Sequence, residues 1–346
     1  LLTKATERET PPNPTDLIAA SQSDFGALLE PYRRELQAHC YRMVGSVHEA
    51  EDMVQETFLR AWRRRETFEG RATFRAWLYK IATNICLDTL AQRPRRMVPI
   101  TRGAASSVDR PIPASLMEPI WLEPIPDELF ATDDADPESY FVARENISVA
   151  FIAALHLLPP RQRAVLLLRD VLEWQAAEVA TLLGLTVPAV KSALHRARTT
   201  LATHGAKIGA DAISARTLDQ ATRAQLDQYV LAWENSDVSG LLSLLKEDAT
   251  FSMPPIPSWY QGRETIGKLV SMTVFTPGSN GHWRLLPTRA NGQIAFGLYR
   301  QAPDGGPHVG YGIQVLRLVD GAIEDIITFR EASLFAYFKL PAVFPG

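Results

Sequence analysis

The chain has 346 residues, 46% of them hydrophobic, with a formal charge of −3 and two cysteines. That length and apolar content support two or three packed domains and exclude a wholly disordered protein, while two cysteines without a CxxC spacing argue against a disulfide scaffold or a zinc finger. No apolar run approaches the roughly 20 residues of a membrane span, and the N-terminus carries no signal-peptide core, so no membrane partner and a cytoplasmic location are expected.

The small net charge hides an uneven distribution. Residues 22–96 carry thirteen Lys and Arg against ten Asp and Glu, residues 146–208 seven against three, and residues 97–145 three against ten. Two basic modules thus flank an acidic connector, which keeps a nucleic-acid partner in view despite the acidic total.

Residues 1–21, polar and containing Pro11, Pro12 and Pro14, read as a mobile tail. Order is expected from about Asp24. Phe25, Leu28, Leu29, Leu36, Cys40 and Val44 recur at helical intervals up to Gly45, and the next helix runs from near Val47 through Trp62. On it Val54, Phe58, Ala61 and Trp62 share one side, and Asp52, Gln55, Glu56 and Leu59 another. Residues 63–72 are short, charged and contain Gly70, a loop signal. In FRAWLYKIATNICLDTL, residues 74–90, Phe74, Trp77, Leu78, Ile81, Ala82 and Ile85 form the expected buried stripe, leaving Arg75, Lys80, Thr83, Asn84 and Asp88 elsewhere. His39 and His48 do not share a helical face, so no metal site is expected around Cys40.

The order AEDMVQETFLRAW at residues 50–62, then FRAWL, IATN, an aspartate and a basic end at Arg93, Arg95 and Arg96, resembles the promoter-melting domain of bacterial RNA polymerase sigma factors of the extracytoplasmic-function class. The resemblance implies that residues 22–96 form an all-α domain in which Asp52, Gln55 and Glu56 dock onto a coiled coil of the largest subunits of core RNA polymerase. Carboxylates and an amide suit charge-assisted bonds to an Arg-rich partner helix. It also implies that the 63–72 loop forms a pocket for a base flipped out of the −10 element, which offsets the cost of unstacking. Arg75 and Lys80 are the candidates for phosphate contact there, and Asn84 for a base edge.

Residues 97–145 follow, with Pro99, Pro111, Pro113, Pro119, Pro124, Pro126 and Pro137 barring regular helix. Ile120, Trp121, Leu122, Ile125, Leu129 and Phe130 make this linker more apolar than a free tether needs. Two placements are open. By resemblance the linker threads through the polymerase near the template strand and the RNA exit path; alternatively its apolar stretch packs on the chain's own C-terminal domain.

Residues 146–208 contain a helix-turn-helix: a helix at 175–183, a turn at Gly184 and Leu185, then a helix opened by Thr186 as N-cap and Pro188. Val190, Leu194, Ala197 and Leu201 should face the core, which leaves Lys191, Ser192, His195, Arg196 and Arg198 exposed. This looks like the sigma domain that reads the −35 element, with Lys191, Ser192 and His195 at base edges and Arg196 and Arg198 on phosphates.

After a connector at 209–217, residues 218–346 turn aromatic, with Trp233, Phe251, Trp259, Tyr260, Trp283, Phe296 and Tyr299. Helices at 219–235 and 238–245 precede strand-like alternation at 283–289, 308–319 and 323–329. The pattern resembles the SnoaL-like, nuclear-transport-factor-type α+β cone, a shape with room for a small apolar ligand. General-base chemistry would need Asp227, His282 or Tyr260 inside the cone, but Asp227 lies on the polar side of its helix and His282 is a lone histidine beside Trp283. No catalytic residue is assigned. The resemblance therefore implies a multidomain, non-enzymatic sigma factor without a cofactor: two all-α sigma domains, then an α+β cone regulating them in cis. Its partners would be core RNA polymerase and promoter DNA.

Overall fold

The computed structural model describes residues 14–70, 72–92, 96–99, 103–116, 121–129, 148–208 and 220–345. The 209–217 connector, residues 130–145 of the linker, Ile120, Arg93 and Arg95 lie outside the described residues. Two compact units form: Leu1–Val44 with His48–Arg93 and Pro159–Arg198, and Gly45–Val47 with Pro94–Leu158 and Thr199–Gly346. The helix-turn-helix segment joins the N-terminal helices, and the linker joins the C-terminal domain.

In the first unit, α1 (Pro14–Ala19) stands where a mobile tail is expected. Leu17 is fully buried, and the helix packs on the turn at Arg65–Thr67. Ser21 caps α2 (Gln22–Leu29), accepting from the Asp24 amide at 3.3 Å. Pro31 sits in a tight turn at Glu30–Tyr32 that divides the apolar run, and α3 (Arg33–Val44) continues it. Next come α4 (Val47–Arg63) and α5 (Phe74–Ala91), the latter capped by Thr73 through the Ala76 amide at 3.1 Å. Leu36, Cys40, Val54, Ala61, Leu78 and Ile85 form their shared core. Phe74 meets the rings of Phe25, Tyr32 and Phe68 edge-on at 6.3, 5.7 and 5.6 Å.

Of the region-146 helices, α6 (Val149–Leu157) belongs to the second unit, whereas α7 (Pro160–Leu166), α8 (Ala176–Leu183) and the first half of α9 (Val187–Ile208) belong to the first. The fully buried Arg163 on α7 donates to the Met43 carbonyl, and the Trp174 ring lies 5.3 Å from Tyr79 of α5.

The C-terminal domain opens with α10 (Gln220–Glu234) and α11 (Val238–Ser243), then β1 (Leu245–Ser252), β2 (Trp259–Gln261), α12 (Arg263–Thr273), β3 (Trp283–Ala290), β4 (Gln293–Gln301), β5 (His308–Val319), β6 (Ala322–Phe329) and α13 (Leu334–Tyr337). The strands form one sheet in the order β2-β1-β6-β5-β4-β3, antiparallel except for the β1–β6 pair. Asn291-Gly292 and Asp320-Gly321, all at positive φ, close the β3–β4 and β5–β6 hairpins. Two residues with left-handed backbone match the twist of the flanking strands. One face of the sheet is filled by α10: Tyr229 stacks on Phe296 at 5.7 Å and Trp233 meets Trp283 at 5.8 Å. Inside, the Tyr229 hydroxyl donates to Gln314 Oε1 (2.7 Å), whose Nε2 donates to Thr328 Oγ1 (2.9 Å), so these buried polar groups are paired.

The C-terminal tail packs on its own domain. It pairs with β5 through Gly310 N–H to Ala342 O and Phe344 N–H to His308 O, both 2.9 Å, and sets Phe335 and Phe344 against Tyr299 at 5.1 and 5.2 Å. Tyr299 alternates with Phe296 and Leu298 along β4, so the tail covers the face opposite α10. Among the described residues no single helix is long and apolar enough to cross a membrane.

Candidate polymerase and nucleic-acid interface

On α4, Asp52 and Gln55 are exposed and Glu56 is half-buried, ion-paired to Arg60 one turn on at 2.6 Å. Glu to Arg at this spacing is a helix-surface pair worth only a few tenths of a kcal/mol, roughly 0.3–0.5, so Glu56 can exchange partners. Gln55 also lines an apolar groove of about 320 Å³ with Phe25, Phe58, Leu59 and Trp62. The three residues therefore form one polar edge beside an apolar trough.

On α5, Lys80 and Asn84 are exposed one turn apart, with Asp88 a further turn on. Arg75 is separated from them. Its Nε and Nη2 reach Glu35 Oε2 at 2.8 and 2.7 Å and its guanidinium lies 4.9 Å over the Tyr79 ring, so its charge is already paired within its own unit although the side chain stays 40% exposed. The neighbouring His39, which sequence reading passed over as a functional group, is enclosed. Its Nε2 is 2.9 Å from Thr83 Oγ1, and burial, then the charges of Arg42 and Arg75, push its pKa down to about 3.

Gly184 ends α8 at φ +64, and Gln175 with Glu178 forms a capping box at its start. Thr186 caps α9, accepting from the Ala189 amide at 3.3 Å. Val190 and Ala197 are fully buried and Leu194 is nearly so, which turns Lys191, Ser192, His195, Arg196 and Arg198 outward. Arg196 Nη1 donates to Ser192 Oγ at 2.7 Å, joining the stripe, whereas Arg198 is drawn aside by two bonds to Asp170. A cationic, donor-rich helix face of this kind suits the acceptors of the major groove and the phosphates that border it.

The cone assembles no comparable site from the residues named for it. Asp227 and His282 are exposed while Tyr260 is buried in the core, so the three do not converge. The inner face of the sheet is filled by Tyr229, Trp233, Phe275, Trp283 and Phe296.

Of the two placements open for the linker, the described residues adopt the second. Ile125 and the fully buried Asn291 exchange bonds at 3.0 Å through Ile125 N–H to Asn291 Oδ1 and Asn291 N–H to Ile125 O. Asp127 accepts from the Gly292 amide at 2.6 Å and from Arg289 Nε at 3.1 Å. Burial pushes its carboxyl above the usual range, while the Gly292 amide and Arg289 pull the other way. Upstream, Trp259 Nε1 donates to Gly103 O (3.0 Å) and Leu116 N–H to Pro255 O (3.1 Å). Glu123 accepts from Ser46 Oγ at 2.8 Å and the Val47 amide at 3.1 Å.

Residues 28–96 match the family Sigma-70 region 2, residues 148–201 Sigma-70 region 4, and residues 226–326 the SnoaL-like domain. The ECF RNA polymerase sigma factor SigG of Mycobacterium tuberculosis is 44% identical over 323 residues, 92% of this chain and 85% of that protein. SigJ of the same organism is 32% identical over 66% of this chain and 64% of its own length. The crystal structure of SigJ shares the fold with a TM-score of 0.56 at 23% identity, covering 91% of this chain and all of that one.

Proposed function

Since the chain belongs to the extracytoplasmic-function sigma factors of RNA polymerase, which bind core enzyme and promoter DNA to initiate transcription, we propose that its SnoaL-like domain regulates initiation in cis by holding the linker. The protein works in the cytoplasm beside the polymerase, and the SnoaL-like domain acts by binding and not by catalysis. Asp52, Gln55 and Glu56 meet core polymerase; Lys80 and Asn84, with Arg75 released from Glu35, meet the −10 element; Lys191, Ser192, His195, Arg196 and Arg198 meet the −35 element.

The observation that carries the regulatory reading is the clasp on residues 125–127. Ile125 and Asp127 together make four bonds to the β3–β4 hairpin, two of them neutral at Ile125 and two on the Asp127 carboxylate. At about 0.5–1.5 kcal/mol net for each neutral bond, the clasp is strong enough to bias where the linker resides and weak enough for polymerase to overcome. A linker held on the C-terminal domain is withheld from any path through the polymerase, so the domain restrains initiation until the clasp opens. In core-dependent transcription in vitro, Asn291→Ala and a chain ending at residue 208 should both give more product than the full chain. Equal output from all three would sink the regulatory reading while leaving the sigma assignment intact.

A further inference from the structure

A cavity of about 300 Å³ lies within the second unit, walled by the linker on one side and by the ends of β1 and β6 on the other. Trp121 and Leu122 of the linker face Pro254, Pro255 and Phe329 of the C-terminal domain, so its walls are apolar. None of the aromatics that fill the cone, such as Tyr229, Trp233 or Phe296, lines it. Its size falls within the range of small-molecule sites, and its mixture of apolar wall and a few charged groups is what such sites share.

The charged groups differ in what they already do. Arg96 Nη1 donates to the Trp121 carbonyl at 2.6 Å and lies 3.7 Å from Glu123. Glu123 accepts from Ser46 and Val47, and Glu331 from the amide and hydroxyl of Ser333 at 3.3 and 2.9 Å. Arg330 differs: its guanidinium rests 5.2 Å over the Tyr311 ring, and its buried Nε donates to no acceptor among the described residues. The Nε is enclosed and out of a ligand's reach, but the terminal nitrogens make no hydrogen bond or ion pair to the described residues, and a guanidinium is the side chain best shaped to take a carboxylate in two parallel bonds.

We propose that this cavity binds a small monocarboxylate with an apolar body, the carboxylate on Arg330 and the body between Trp121 and Leu122 on one side and Pro254, Pro255 and Phe329 on the other. Such a ligand touches linker and C-terminal domain together, so its binding favours the docked linker by linkage. The site itself is independent of the regulatory reading, and only this consequence rests on it.

Octanoate titrated into the full chain by calorimetry tests the site, with octanamide as its neutral counterpart. Octanoate should bind at least tenfold more tightly than octanamide, Arg330→Gln should remove that difference, and Leu116→Trp, which fills the cavity from the half-buried linker side, should remove binding without altering Arg330. Absence of octanoate binding, equal binding of the two probes, or full octanoate affinity in both variants would overturn the proposal. Hydrogen exchange at the Leu116 and Leu122 amides should slow with octanoate. Octanoate binding with unaltered transcription in Asn291→Ala would keep the site and reject the regulatory reading; altered transcription without octanoate binding would do the reverse.

Discussion

Arg198 and Asp170 form a two-point ion pair, Nε to Oδ2 at 2.9 Å and Nη2 to Oδ1 at 2.7 Å, on the margin of the proposed DNA-reading helix. Asp170 thereby competes with phosphate for Arg198. Asp170→Asn should free the guanidinium, tighten binding to promoter and unrelated duplex alike, and steepen the salt dependence by about one counterion, as expected for one added phosphate contact. Lys191→Ala should instead weaken binding. A salt slope unchanged in Asp170→Asn would mean that Arg198 makes no phosphate contact even when free.

What the sequence made legible follows from the range of the interactions. Local apolar periodicity places α4, α5 and α9 and the 308–319 strand, because each depends on residues three or four, or two, apart. The helix-turn-helix was readable from Gly184 and Thr186, whose roles are set by backbone conformation and capping. Pairing across the chain was not readable. Arg75 is committed by Glu35, 40 residues away, and the linker's placement is decided by Asn291, 166 residues from Ile125. An arginine on a helix face looks the same whether a carboxylate of its own chain or a phosphate will meet it. The Asn291-Gly292 and Asp320-Gly321 turns were available signals that would have placed both hairpins.

His39 makes the first unit sensitive to acid. Its pKa falls from 6.5 to about 3 in the folded chain, with burial as the main cause. The unfolded chain therefore takes up a proton below pH 6.5 that the folded one refuses, and stability drops as pH falls from there towards 3, by at most about 1.4 kcal/mol per pH unit from this group. His39→Gln should flatten that part of the profile in denaturant unfolding followed between pH 7 and pH 4. An equally steep decline in the variant would assign the acid sensitivity to other groups.

Gly45 is constrained twice. Its φ is +75, and a Cβ there would lie 2.5 Å from Leu122 Cδ2 and 2.7 Å from His156 Cε1. Gly184 has φ +64 but open space where a Cβ would go. Backbone strain alone costs about 1 kcal/mol and overpacking a further 1–3. Gly45→Ala should therefore lose about 2–4 kcal/mol and Gly184→Ala only about 1, measured by urea unfolding. Similar losses at both sites would show that the linker yields freely around Gly45.

The polar edge of α4 should govern recruitment to the polymerase. Asp52 is exposed, and Glu56 is tied only to Arg60 in a pair whose side chains remain about a third exposed, 35% and 36%. Replacing both acids by Asn and Gln removes two charges at little cost to the fold, since exposed pairs contribute little. If each carboxylate makes a charge-assisted bond of about 1.5–3 kcal/mol to the polymerase, the double variant should bind core at least roughly 100-fold more weakly. Arg60→Ala is the informative contrast: it releases Glu56 and should leave core binding equal or stronger, whereas an edge that worked through Arg60 would lose affinity. Binding of the double variant within twofold of the parent, with an unchanged circular dichroism melt, would move the polymerase contact away from α4.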